Sequence, residues 1–206
     1  MKPISVIILA GGESRRMGSN KAFLEHNGKP FIERILETFS DFNERIIVAN
    51  DVSLYQYPLV ETLQDTYPDR GPLCGLYTGL KSAKNDTCIV LTVDVPFISS
   101  ELMSYLAILE DKVDAIVPNV GGYLHPLCAV YRKSALSIIE KAVEEDIRKV
   151  RRVLKALSIL EVKEEDLKQF SDPGQCFRNI NTPEEYLEAK NYFWQKEHIN
   201  EQKNLK

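Results

Sequence analysis

An apolar run, Val6-Ile7-Ile8-Leu9, leads straight into the glycine-rich basic segment Ala10-Gly11-Gly12-Glu13-Ser14-Arg15-Arg16-Met17-Gly18-Ser19-Asn20-Lys21, and few folds accommodate such a junction. A short apolar run bounded by turn residues reads as a buried strand. Three glycines, two arginines and a lysine fall within the eleven residues from Gly11 to Lys21. Glycine admits positive φ and lets main-chain N–H groups approach a ligand closely. Successive inward-facing N–H groups form a concavity for anions, and the cations add attraction. In an open α/β sheet the ligand crevice lies outside the carboxyl ends of the strands. The segment therefore reads as a polyphosphate site. Its spacing excludes two other phosphate loops. Gly18 is followed by Ser19 and Asn20 rather than Lys, and Gly11 and Gly12 are adjacent, which breaks both the P-loop and the G-x-G-x-x-G patterns.

Composition narrows the class further. A chain of 206 residues suits one domain with a substantial core. The expected division is a single domain over 1–195 and a polar tail over 196–206. A net charge of −4 argues against a nucleic-acid footprint. No apolar run is long enough to span a membrane, and Met1-Lys2-Pro3 runs into the first strand without a signal segment. Cys74, Cys88, Cys128 and Cys176 show no C-x-x-C spacing and read as reduced thiols, which with the missing leader gives a cytoplasmic expectation.

Alternating strand and helix patterns predict a parallel sheet covered on both faces. Asn27-Gly28 predicts a turn, and apolar residues at Phe31, Ile32, Ile35, Leu36 and Phe39 predict a helix. Strands are expected at Arg45–Asn50, Leu59–Thr62, Thr87–Val93, Asp114–Pro118 and Pro126–Tyr131. Pro72 would open a helix over Leu73–Ser82, whose Gly75 and Gly79 imply a close approach to a ligand or to the basic segment. Helices are further expected after Ser99-Ser100, over Ser134–Glu145 and over Arg148–Lys155. The last of these carries five cations in eight residues, which reads either as a solvated face or as a clamp for an anion, with Arg151 and Arg152 the test positions. Thr182-Pro183-Glu184-Glu185 reads as a capping box opening a final helix to about Trp194. Asp94, at the end of the most apolar strand, needs a pair, a hydrogen bond or a metal. Mg²⁺ is commonly held by one or two carboxylates plus phosphate oxygens, which makes Asp94 the candidate ligand.

The pattern Leu-Ala-Gly-Gly-x-Ser-x-Arg-Met-Gly-x-x-Lys, with Gly28-Lys29-Pro30-Phe31, Gly71-Pro72-Leu73-x-Gly75, Asp94-Val95-Pro96-Phe97, His125-Pro126-Leu127 and Asn179-Ile180-Asn181-Thr182-Pro183, resembles the nucleotidyltransferases that activate molybdenum cofactor. The Leu-Ala-Gly-Gly form is most similar to their guanylyltransferase branch. Val95 stands where that family more often has Met. The resemblance implies a three-layer α/β/α, Rossmann-like nucleotide-diphospho-sugar transferase fold with a mostly parallel central sheet. It implies transfer of GMP from GTP to the phosphate of molybdopterin, with Mg²⁺ as cofactor and pyrophosphate released. Molybdenum-insertion proteins and molybdoenzymes are the partners it implies.

Carried over residue by residue, Leu9, Ala10, Gly11, Gly12, Lys21, Asn50, Asp65 and Asp94 would meet the nucleotide. Asp94 would hold Mg²⁺, and Arg16 and Lys21 would stabilise the departing pyrophosphate. His125, Arg151, Arg152, Asn179 and Asn181 would line the acceptor side, whereas Asp69 reads as a solvated turn carboxylate. A phosphate monoester has a second pKa near ~6 and needs no general base to attack, in keeping with a chain of three histidines. Two alternatives share these motifs: a cytidylyl- or sugar-phosphate nucleotidyltransferase, and a non-catalytic nucleotide-binding regulator.

Overall fold

The computed structural model describes residues 3–11, 20–109 and 112–192. Gly12 and Arg16 lie outside the described residues, as do residues 193–206. The sheet contains β1 (Ile4–Leu9), β4 (Glu44–Ala49), β5 (Glu61–Gln64), β6 (Thr87–Thr92), β7 (Ala115–Val120), β8 (Tyr123–Leu124), β9 (Ala129–Arg132) and β10 (Ile159–Lys163). A two-stranded hairpin, β2 (Glu25–His26) with β3 (Lys29–Pro30), stands apart from it. The main order is β10-β7-β9-β6-β1-β4-β5, with β8 paired to β7. Strand β1 is parallel to β4 and to β6, and β4 is parallel to β5. Strand β9 runs antiparallel between β6 and β7, and β10 is parallel to β7.

This arrangement decides where chemistry can occur. The carboxyl ends of β1, β4, β5, β6, β7 and β10 share one edge with the amino end of β9. Residues just beyond those ends, from Gly11 to Glu164, therefore converge along a single edge.

The sheet is buried on both faces. Side chains alternate across a strand, so Ile4, Val6 and Ile8 enter one core while Ile7 and Leu9 enter the other. The first core packs α1 (Phe31–Thr38) and α3 (Ser100–Ile108), and the second packs α2 (Pro72–Ser82), α4 (Leu136–Glu144) and α5 (Val150–Val153). The result is three layers, α/β/α, on a mostly parallel sheet. Two single-turn helices, α6 (Glu164–Leu167) and α7 (Pro173–Cys176), follow β10, and a helix begins at residue 183.

Local chemistry explains most of the boundaries. Asn27 (φ 52°) and Gly28 (φ 73°) form the turn of the β2–β3 hairpin, the pair of positive φ values that a two-residue hairpin turn demands. Ser99 accepts from the Leu102 N–H and caps α3. Glu185 accepts from the Asn181 and Thr182 N–H groups while Thr182 Oγ1 accepts from Glu185 N, a reciprocal cap.

Several expectations need correction. Strand β5 begins at Glu61, because Leu59 takes φ 61° and is 88% exposed. The return strand β9 begins at Ala129, since Cys128 N–H donates to His125 O in a preceding turn. The basic stretch is shorter than expected: α5 spans Val150–Val153, followed by a 3₁₀ turn over Leu154–Ala156. Gly79 does not face a ligand. A Cβ there would lie 2.4 Å from Ile7 Cγ2, so this glycine lets α2 press onto β1. The four cysteines are buried free thiols. No described helix is long and apolar enough to cross a membrane.

Candidate active site

Two cavities open along the strand-end edge. The first, about 460 Å³, is lined by Leu9 at the end of β1, Ala10 and Gly11 after it, Asn50 after β4, Asp65 after β5, Val93 and Asp94 after β6, and by Lys21. The second, about 770 Å³, is lined by Val120 at the end of β7 and Gly121 after it, His125, Lys149 and Arg151, Glu164 after β10, and Asn179. Pro72, Thr92, Asp94 and Leu127 belong to both walls. Asp94 thus stands where the cavities meet.

Each side chain of the first cavity is held by a traceable contact. Asn50 Nδ2 donates to Asp69 Oδ1 at 3.0 Å, while Asp51 caps its own turn by accepting from the Ser53 N–H and Oγ. Asp69 (φ 63°) is exposed in a turn, yet it lines the cavity and orients Asn50, a role its turn-like surroundings conceal in sequence. Asp65 Oδ1 accepts from the Tyr67 N–H at 3.1 Å and from Thr78 Oγ1 at 3.2 Å. Burial raises the Asp65 pKa, and those two hydrogen bonds oppose the rise. Gly75 leaves room beside Asp65: a Cβ there would lie 3.6 Å from Asp65 Oδ2 and 3.4 Å from Leu9 Cδ2. Lys21 Nζ donates to Asn181 Oδ1 at 2.6 Å across 160 positions of sequence.

Asp94 is half-buried. Its Oδ1 accepts from Thr92 Oγ1, and its main-chain oxygen accepts from Ile180 N at 2.8 Å. Thr92 escapes sequence reasoning, although its place two residues before Asp94 on an extended strand is the signal that could find it. Among the described residues no group of three His, Cys, Asp or Glu gathers as a ready-made cage. One carboxylate at the wall between two cavities suits Mg²⁺, which takes few protein ligands and fills its shell with phosphate oxygens and water.

The second cavity receives His125, Arg151 and Asn179 as expected. His125 packs against Phe177 with ring centroids 5.0 Å apart. Burial chiefly lowers its pKa, with the Arg151 charge adding to the effect. Arg151 donates to the Leu124 main-chain oxygen at 3.1 Å, which fixes the guanidinium beside the cavity. Arg152 is exposed and lines neither cavity, so the clamp reading holds for Arg151 alone of that pair. Asn181 also lines neither cavity and serves Lys21 instead. Glu164, not anticipated from sequence, accepts from the Gly121 N–H at 2.8 Å and ties the β7–β8 turn to the cavity rim.

A mostly parallel sheet edge carrying two adjoining cavities, with one carboxylate at their shared wall, defines a three-layer α/β protein with room for two ligands side by side. Residues 6–162 match the family model described as MobA-like NTP transferase domain. A protein of Clostridium perfringens (strain 13 / Type A) named probable molybdenum cofactor guanylyltransferase is 37% identical over 185 residues, 88% of this chain and 93% of that protein. One of the same name from Natranaerobius thermophilus is 36% identical over 92% of this chain and 96% of its own length. The crystal structure of molybdopterin-guanine dinucleotide biosynthesis protein A from Archaeoglobus fulgidus superposes with TM-score 0.80 at 29% identity, covering 93% of this chain and 99% of that one. The chain belongs to the MobA-like NTP transferase family, and its activity class is nucleotidyltransferase.

Proposed function

We propose that this chain transfers GMP from GTP to the phosphate of molybdopterin, forming the guanine dinucleotide form of molybdenum cofactor and releasing pyrophosphate. The observation that carries the reading is the shared wall: two cavities, of about 460 and 770 Å³, meet at Thr92, Asp94, Pro72 and Leu127. The names of the relatives supply the identity of the substrates.

In this reading GTP occupies the first cavity. The Ala10–Gly11 backbone, Asn50 and Asp65 orient the nucleotide, and Gly75 admits it beside Asp65. Lys21, held by Asn181, neutralises the phosphates and steadies pyrophosphate as it departs, and Arg16, outside the described residues, would share that work. The acceptor enters the second cavity with its phosphate toward Asp94, flanked by Arg151, His125 and Asn179. The attacking group is a phosphate already deprotonated at neutral pH, so no residue need act as general base. The barrier is repulsion between two anions, and phosphoryl chemistry is dominated by positioning and charge neutralisation. Asp94 would hold Mg²⁺, which when bound withdraws charge from the α and leaving phosphates. The setting is cytoplasmic, with molybdenum-insertion proteins and molybdoenzymes receiving the product.

Calorimetric titration with Mg²⁺ and GTP, CTP or UTP, followed by pyrophosphate release on adding molybdopterin, tests the reading. GTP should bind most tightly and acceptor should trigger release. Preference for CTP would move the chain to the cytidylyl branch, and tight GTP binding without turnover would make it a regulator.

A further inference from the structure

Tyr55 follows the turn after β4 and is 2% exposed, and it is absent from the walls of both cavities. Its ring belongs to the core and stacks on Phe23, with centroids 5.5 Å apart and planes at 21°. Its hydroxyl is not needed for that packing. The hydroxyl donates to the Ala10 main-chain oxygen at 3.2 Å and accepts from Asn20 Nδ2 at 3.0 Å. Ala10 and Asn20 both line the first cavity, one just before the basic segment and the other at its close.

The contact continues toward the chemistry. The same Asn20 side chain accepts from the Ala22 N–H at 3.0 Å through Oδ1 and so caps the 3₁₀ turn Lys21–Phe23. That turn carries Lys21, whose Nζ reaches Asn181. One buried oxygen therefore joins the end of β1, through Asn20, to the turn that presents Lys21. The other fully buried tyrosine, Tyr131, differs. It donates to Pro126 O at 2.7 Å, and Pro126 lines only the second cavity. A phenylalanine at 55 would fill the same space without burying a polar group, which must then find partners or incur a desolvation penalty. Both of the partners it finds belong to the nucleotide wall.

We infer that the Tyr55 hydroxyl is a positioning group for nucleotide binding, locking the Lys21 turn to the carboxyl end of β1 through Asn20. Burial also raises the Tyr55 pKa, so the group stays a proton donor throughout the working range. The inference rests on the first cavity being the nucleotide site.

The test is a double-mutant cycle on the full chain with Tyr55→Phe and Asn20→Ala, read by Mg-GTP titration and by urea unfolding. Removing a hydrogen bond of this kind should weaken Mg-GTP binding about fivefold in either single variant. The double variant should lose little more, because the two groups act as one unit. The KM for molybdopterin should stay at the wild-type value. Unchanged GTP affinity in Tyr55→Phe, with only a lower urea midpoint, would reduce the hydroxyl to a structural role and overturn the inference. So would fully additive losses. A wild-type chain that fails to bind Mg-GTP would overturn the nucleotide reading itself, which separates the two failures. Should Tyr55→Phe fold poorly, Asn20→Ala alone decides, since wild-type affinity in that variant refutes the linkage.

Discussion

The two cavities are built differently from the same edge. The first is made by the parallel half of the sheet, where β1, β4, β5 and β6 deliver Gly11, Asn50, Asp65 and Asp94 from successive strand ends. The second lies beside the half in which β9 reverses direction, and its walls come from a hairpin, single-turn helices and the segment around Asn179. Four parallel strand ends make a repeated, rigid frame for one kind of ligand. The mixed half supplies individually anchored side chains, such as Arg151 on Leu124 O and Glu164 on Gly121 N. In the proposed reaction the frame would hold the nucleotide and the anchored side chains the acceptor.

The sharpest test strikes the wall common to both halves. Asp94→Ala should slow GMP transfer roughly a hundredfold or more, at tenfold per ~1.4 kcal/mol of lost transition-state stabilisation. Near-normal turnover with Mg-GTP would remove Asp94 from the mechanism and dissolve the comparison with it. Next, the halves should separate by substrate. Lys21→Ala should weaken Mg-GTP binding about tenfold, the scale of a hydrogen bond to a charged group, while Arg151→Ala should raise the acceptor KM severalfold and leave GTP affinity alone. Crossed effects, read by titration and steady-state kinetics, would show one continuous site instead of two.

Gly79→Ala probes the rigidity of the parallel half. The new methyl would collide with Ile7, and overpacking costs about 1–3 kcal/mol, offset by up to about 1 kcal/mol from replacing a helical glycine. A net loss of about 1 kcal/mol in urea unfolding is expected; a gain would mean that α2 is free to lift from β1.

The smallest effect belongs to the second half. Burial lowers the His125 pKa below its ordinary 6.5. As pH falls, the unfolded chain takes up that proton before the folded one, so the contribution to stability is full above about 6.5 and declines toward the folded value. The urea midpoint of the wild type should therefore drop slightly more than that of His125→Asn on going from pH ~7.5 to ~5.5. Identical slopes would show that His125 is solvated in the folded chain.

The same contrast governs what is legible in the sequence. The parallel half announces itself through long apolar runs that end in glycine or a polar residue, so β1, β4, β6 and the residues after them follow from the amino-acid pattern alone. Family resemblance marks Asp65 and Asn50 as nucleotide contacts, and both line the first cavity. The mixed half is harder to read. Strand β10 mixes Glu161 and Lys163 with its apolar residues at the sheet edge, and α6 and α7 are each four residues long, too short to show a periodicity. Glu164 escapes a sequence reading for that reason. Arg152 groups with Arg151 there because charge density does not reveal which side of a single turn faces a cavity. Tyr55 reads as one more core aromatic, and only three dimensions show where its hydroxyl goes.

The segment Asn179–Asn181 crosses back over the edge, giving the Ile180 N–H to the Asp94 carbonyl and accepting from Lys21 Nζ through Asn181 Oδ1. Made on a ribosome from its amino terminus, the chain would have every described strand of the sheet in hand before this crossing emerged. A nascent polypeptide ending at Phe177 would lack the Asn181 contact to Lys21 and the Ile180 contact to the Asp94 main chain, while Thr92 would already hold the Asp94 carboxylate. The contacts that close this edge therefore come from residues that follow every described strand of the sheet in sequence.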